Sequence, residues 1–204
     1  MSSVSNHHRS ELENGSAIDP AIIEERGYQT ITNSRSLPRE FTGKQREHYG
    51  LLMPVQDVTG AVATYQLKPD NPYEDASGRV VKYMTAAAGR PCIDVPERVR
   101  PHLRNADMDL WITEGCKKVD SALSHGVPCI VGLLGVENWQ SNGMALPDWK
   151  EIALCERRVV IAFDSDVMTK SSVRNALERF SAWLKLQRAD VRYLLLPELD
   201  GPRV

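Results

Sequence analysis

A chain of 204 residues, 42% hydrophobic and 25% charged, has room for one ordinary domain or two small ones around a core of normal size. Its formal net charge of −2 excludes a globally basic, nonspecific polyanion binder, so any contact with nucleic acid has to be local. The amino terminus has no apolar stretch of the kind that directs secretion, and the most apolar run, "CIVGLLGV", is far too short to cross a bilayer, so a cytoplasmic protein with no membrane partner is expected.

Residues 1–16, "MSSVSNHHRSELENGS", are largely polar with no apolar run and are expected to form a disordered arm, with the His7–His8 doublet holding no metal. A helix is predicted over "DPAIIEERGY": Asp19 suits the N-cap, Pro20 the first helical position and Gly27 the stop. After a polar connector, "GLLMPVQDVTGAVATYQLKPD" predicts a β-hairpin whose turn lies at Asp57–Gly60, and "RVVKYM" a short strand. Pro91, Pro96 and Pro101 interrupt the next stretch, which places a boundary near residue 105. An N-terminal α+β domain is therefore expected over 17–105 and a second domain over 106–204.

The rhythm then changes. Strands are predicted over "LWITEG", "PCIVGLLG", "RVVIAFDSD" and "DVRYLLLP", with helices over "CKKVDSALSHG", "LPDWKEIALCE" and "SSVRNALERFSAWLKLQR" between them. Strand alternating with helix predicts a parallel sheet with helices on both faces and right-handed crossovers. Two of those strands end in acids, at Glu114 and at Asp164–Ser165–Asp166. All carboxyl ends of a parallel sheet share one edge, where α/β proteins bind ligands. Acids before a helix also stabilise its N-terminus in any protein, so neither motif alone identifies a site. Gathered together, Glu114, Asp164 and Asp166 would repel one another unless a hard cation such as Mg²⁺ or Mn²⁺ intervened. Lys117 and Lys118 follow at the start of the next helix, either as a phosphate seat or as solvated surface.

Elsewhere, Arg79, Lys82, Arg90, Arg98, Arg100 and Arg104 oppose only Asp94 and Glu97, a strip able to track a nucleic-acid backbone or simply a charged loop. Trp139 is a candidate for base stacking, with packing over the sheet as the ordinary role. The scattered Cys92, Cys116, Cys129 and Cys155 read as buried thiols and not as a zinc site.

The ordered set "WITEGCKKVDSALSHG", "IVGLLG" and "VVIAFDSD" resembles the Toprim domain shared by DnaG-type primases, topoisomerases and OLD-type nucleases, over roughly residues 108 to 200. The preceding hairpin and Lys82–Tyr83 resemble the segment before Toprim in DnaG-type catalytic cores. The whole is most similar to a Toprim-like family of unknown function found in phage, plasmid and actinobacterial replication-type genes, through "RGY", "KYM", "TEG-x-KK-x-D" and "FDSD" in this order. The resemblance implies a Toprim fold and Mg²⁺-dependent chemistry on nucleic acid in the replication of mobile DNA, primase-like nucleotidyl transfer first. A non-catalytic nucleic-acid-binding accessory module and an OLD-type nuclease are the alternatives. It assigns Glu114 as general acid/base or metal ligand and Asp164 and Asp166 as the metal pair, with Mg²⁺ or Mn²⁺ as cofactor. Lys82 and Tyr83 would lie near nucleotide or template, and Asp200 stands where Toprim proteins often place further acids, as a late member of the site or an ordinary turn residue before Gly201. Lys117, Lys118, Arg98 and Arg100 are candidates for phosphate or nucleic acid from their position and charge alone. Single-stranded DNA or RNA, nucleotides and a separate helicase are the implied partners. The chain departs from the DnaG-type motif at Lys118, where an aspartate would stand four residues beyond the glutamate; the nearest acid is Asp120. It carries no zinc ribbon and no phosphate-binding nucleotide loop, and is expected to be a fragment or short relative of something longer.

Overall fold

Asp19, Pro20 and Gly27 bound a helix as the sequence predicts. In the computed structural model, which describes residues 4–75, 78–163 and 171–194, helix α2 runs over Pro20–Arg26. The Asp19 carboxylate accepts from the Ala21 amide at 2.7 Å, and Gly27 takes the left-handed conformation (φ 72°) that ends the helix.

Ahead of it, the expected disordered arm is ordered. Helix α1 covers Asn6–Ser10 and a π-helical turn follows over Glu11–Gly15. Leu12 is fully buried against Ile18, Ile22, Ile23, Tyr28, Leu51 and Met53. His8 is also buried, its ring nitrogens 2.8 Å from the Thr30 hydroxyl and 2.9 Å from an Asp70 carboxylate oxygen. One leucine and one histidine anchor a segment whose composition is otherwise that of a tail.

The hairpin of β2 (Gly50–Gln56) and β3 (Val62–Pro69) forms the centre of an antiparallel sheet, with β1 (Gln29–Ile31) on one side. Its turn is closed by the Gly60 amide donating to the Asp57 carbonyl at 2.9 Å. The predicted strand over "RVVKYM" is split. β5 (Val80–Val81) pairs with β4 (Tyr73–Glu74), and β6 (Met84–Thr85) joins the far edge of β3.

The second sheet is parallel throughout, in the order β12–β11–β7–β8. Its strands are β7 (Leu110–Glu114), β8 (Ile130–Leu133), β11 (Arg158–Ala162) and β12 (Asp190–Tyr193). Helix α3 (Cys116–Ser124) joins β7 to β8, and α4 (Ser171–Leu186) precedes β12. The predicted helix over "LPDWKEIALCE" is only a 3-10 turn at Pro147–Glu151, after a small hairpin of β9 (Gln140–Ser141) and β10 (Met144–Ala145). Trp149 and Asp148 in that turn are buried and hold it to the body, Asp148 accepting from the Ile93 amide at 2.9 Å.

Phe180 and Leu184 of α4 pack with Trp139 and Trp149 on one face of the sheet, against Ile112, Val131 and Ile161. Trp139 is thus core rather than a free stacking platform; its ring lies 5.4 Å from that of Phe180. On the opposite face α3 crosses Gly132, whose missing side chain leaves room for Val119. The outer edge of β8 is closed by the N-terminal half. Asp94 and Gly132 exchange two backbone hydrogen bonds of 2.9 Å, and the Val95 amide reaches the Gln56 carbonyl at 2.7 Å. Of the cysteines, Cys92, Cys116 and Cys129 are buried, but Cys155 is exposed because it follows the turn on the surface.

Candidate nucleic-acid and metal site

The strand order decides where Glu114 lies. From β7 the chain goes to one neighbour, β8, and returns to the other, β11, so the sheet switches direction between β7 and β11. A crevice opens outside the carboxyl ends at such a point. Glu114 ends β7 there, half-buried. Thr113 stands opposite Ala162 in register, and its hydroxyl donates to the Ala162 carbonyl at 2.7 Å, tying the two strand ends together. Asp164 and Asp166 follow two and four residues after Ala162, outside the described residues, as does Asp200. Among the described residues, no three His, Cys, Asp or Glu side chains cluster in a way that would hold a metal ion.

Glu114 opens on a cleft of about 1360 Å³ between the two halves. Lys82, Tyr83 and Arg79 line it from the N-terminal half, Lys117 and Lys118 from α3. Arg79 and Lys82 are exposed and, among the described residues, form no ion pair. Tyr83 is 43% exposed, enough to offer a ring face to a base. The Lys117 ammonium lies 5.8 Å from its centroid.

The remaining cations of the predicted strip are matched by acids of this chain. Arg98 donates to Glu25 at 2.7 Å, Arg100 lies 3.7 Å from Glu97, Arg104 pairs with Glu151, and Arg90 pairs with Asp57 and Asp148. Of the six, Arg79 and Lys82 line the cleft without an ion pair among the described residues. Charge along the chain does not reveal these pairs, because Glu25, Glu151, Asp57 and Asp148 arrive from distant segments.

Sequence spacing does not show a buried cluster around Arg26. The Arg26 guanidinium donates Nε to both carboxylate oxygens of Asp120 at 3.0 Å and Nη1 to Asp94 at 2.9 Å, with a second bond from Nη2 to Asp94. The Tyr28 hydroxyl donates to Asp120 at 2.6 Å. Burial pushes the Asp120 carboxyl up to about 6, against the charge and hydrogen bonds of Arg26 and with the help of neighbouring Asp94. Two carboxylates share one guanidinium, so the second is hard to ionise. Asp120, the acid nearest the missing aspartate, is therefore committed to holding α3 and does not face the cleft. A signal was present: Asp120 lies four residues after Cys116 and beside Val119, on the buried side of the helix, where a charge needs a partner.

The fold is that of primase catalytic cores. It is similar to the zinc-binding and RNA polymerase domains of the Aquifex aeolicus primase, at a TM-score of 0.66 and 17% identity, over 97% of this chain and 51% of that one. The present chain thus spans about half of that structure's length. A DnaG primase catalytic domain bound to single-stranded DNA matches with a TM-score of 0.55 and 14% identity, over 96% of this chain and 67% of that one. The RNA polymerase domain of Mycobacterium tuberculosis primase in complex with double-stranded DNA matches with a TM-score of 0.59 and 15% identity, over 93% and 66%. A family profile described as a domain of unknown function, DUF3854, matches residues 102–201. No curated protein sequence matches the chain. No helix among the described residues is long and apolar enough to cross a membrane.

Proposed function

We propose that this chain is a Toprim-type protein acting on nucleic acid by primase-like nucleotidyl transfer, dependent on Mg²⁺ or Mn²⁺, in the replication of mobile DNA. The observation that carries this reading is the position of Glu114. It ends β7 at the switch point of the parallel sheet and lines a cleft that Arg79, Lys82 and Tyr83 also line. Likeness to primase cores that include complexes with single- and double-stranded DNA supports nucleic acid as the occupant.

Glu114, Asp164 and Asp166 are the residues that would hold the cation. Carboxylate oxygens suit a hard divalent ion, and Glu114 lies on the edge that the chain reaches on leaving β11. A cation bound there supplies neutralising charge to a phosphoryl group and acidity to an attacking hydroxyl. The chain's own part is binding and orientation. Lys82 and Arg79 attract phosphates, Tyr83 offers a stacking face, and the Thr113 bond holds Glu114 beside the end of β11.

One observation favours a second reading, a non-catalytic nucleic-acid-binding accessory module: Lys118 stands where the resemblance calls for an aspartate, and Asp120 is locked to Arg26. An assay with labelled nucleoside triphosphates, single-stranded DNA and Mg²⁺ or Mn²⁺ separates the readings. Primer synthesis that disappears in Glu114→Gln supports the first. Retained DNA binding without synthesis establishes the accessory module, and loss of the DNA strand itself a nuclease of the OLD type. Adding a replicative helicase to the mixture tests the proposed partner.

A further inference from the structure

Two lysines from opposite halves of the molecule, one of them the cleft-lining Lys117, converge on one carboxylate. Lys68, near the end of β3, lies 2.7 Å from one oxygen of Glu11, and Lys117, in the first turn of α3, lies 2.6 Å from the other. All three side chains are largely withdrawn from water, at 31%, 17% and 20% exposure. Two ammonium groups that close repel each other unless an anion lies between them. Lys117 is moreover at the helix end where the backbone dipole opposes a cation and favours an anion. Gly115 gives α3 no side-chain cap, so the first-turn amides add to that preference.

We propose that Lys68 and Lys117 form a phosphate-binding site of the cleft, and that the Glu11 carboxylate occupies it as a placeholder that a substrate phosphate displaces. The inference rests on the reading of the cleft as a nucleic-acid site and adds to it a residue that restricts entry. A phosphate group brings more charge and more acceptor oxygens than a carboxylate, so it competes well for two ammonium groups. Tyr83, beside Lys117, supplies an aromatic face on which the base of a nucleotide can stack.

The segment that delivers Glu11 has a non-standard backbone. Glu11 begins a π-helical turn, a form concentrated at functional sites, and Ala17 just beyond holds a positive φ of 52°. Gly15 and Ser16 wall the cleft, while Leu12 stays fixed in the core. Release therefore needs only rotation of the Glu11 side chain and not undocking of the arm. Burial disfavours the Glu11 anion, but hydrogen bonds from Lys117 and Lys68 outweigh this and hold its carboxyl below the ordinary value.

The test is a metal-free calorimetric titration with inorganic tripolyphosphate and, separately, with a short oligothymidylate. Removing the competing charge in Glu11→Gln should tighten binding by about fivefold or more, and Glu11→Ala should change it in the same direction. Glu13→Gln removes the same charge from the same segment, but Glu13 contacts Arg9 and not the lysines; its effect should stay within about twofold. In the Lys117→Ala background the gain from Glu11→Gln should vanish. Tighter binding of tripolyphosphate identifies a nucleotide's phosphates as the ligand, and tighter binding of the oligothymidylate alone identifies the strand backbone. Unchanged or weaker binding in both Glu11 variants overturns the proposal, as does an equal gain from Glu13→Gln or a gain that survives without Lys117. Because neither metal nor turnover enters the titration, absence of nucleotidyl transfer would overturn the proposed activity and leave this site standing.

Discussion

The Nε of Arg26 lies 3.0 Å from both carboxylate oxygens of Asp120, a residue 94 positions later in the chain. The pair joins α2, in the N-terminal half, to α3, the helix that follows Glu114. Asp94, the residue that closes the edge of β8, completes the cluster through the same guanidinium. Breaking such a buried pair from one side is costly because it leaves the other charge uncompensated. Arg26→Met should therefore destabilise the protein by about 3–5 kcal/mol.

The pH dependence has a defined sign. Asp120 has a carboxyl raised to about 6 in the folded state by burial, from an ordinary value of 3.8, so the folded protein holds a proton there more tightly than the unfolded chain. Its contribution to stability is most favourable below the lower value and is lost as pH rises through the folded one. The penalty of Arg26→Met should then be smaller near about pH 5 than near about pH 8, since acid neutralises the stranded Asp120 carboxylate. Urea unfolding of parent and variant at the two pH values checks this. An equal penalty at both would show that Asp120 does not take up a proton without Arg26.

Gly132 offers a second test of how α3 is seated. A methyl group there would meet Val119 Cγ2 at 2.9 Å and the Asp94 side chain at 3.2 Å. Gly132→Ala should cost about 1–3 kcal/mol by forcing the helix away from the sheet. Thermal melting reads the loss, and a parent-like midpoint would mean that α3 accommodates the methyl freely.

Binding of single-stranded DNA should separate the cations that face the cleft from those already matched. Lys82→Ala should weaken binding across all sequences and reduce the salt slope by about one unit per lost phosphate contact. Arg98→Ala should leave the slope unchanged, because Arg98 is bonded to Glu25. Fluorescence titration over a range of salt concentrations measures both. Equal slopes for parent and Lys82→Ala would remove Lys82 from the interface.

Lys118 stands in the first turn of α3 on the wall of the cleft that Glu114 also lines. Replacing its ammonium by a carboxylate removes a charge that opposes a divalent cation and adds one that attracts it. Lys118→Asp should tighten Mn²⁺ binding, and the double variant Asp164→Asn, Asp166→Asn should abolish it with the fold intact. Calorimetry with Mn²⁺ alone reads both. No change in either would end the assignment of the metal to this edge.

Local pattern determined much of this protein. Apolar runs broken by Gly and Pro marked the four strands of the parallel sheet, Asp19, Pro20 and Gly27 marked a helix, and Asp57 and Gly60 marked the hairpin turn, because caps, turns and burial periodicity act over a few residues. The acid at the end of β7 was legible for the same reason. Which strands lie side by side was not: only the order β12–β11–β7–β8 puts the ends of β7 and β11 together at the switch point. Nor did sequence spacing show that Asp120 belongs to Arg26, that Glu11 reaches Lys68 and Lys117, or that Arg98 and Arg90 are already matched. The buried Leu12 turned a polar tail into an ordered segment. A charge finds its partner through the whole fold, across separations such as 94 residues between Arg26 and Asp120, and the cost of burying it unpaired is met only when the tertiary structure has formed.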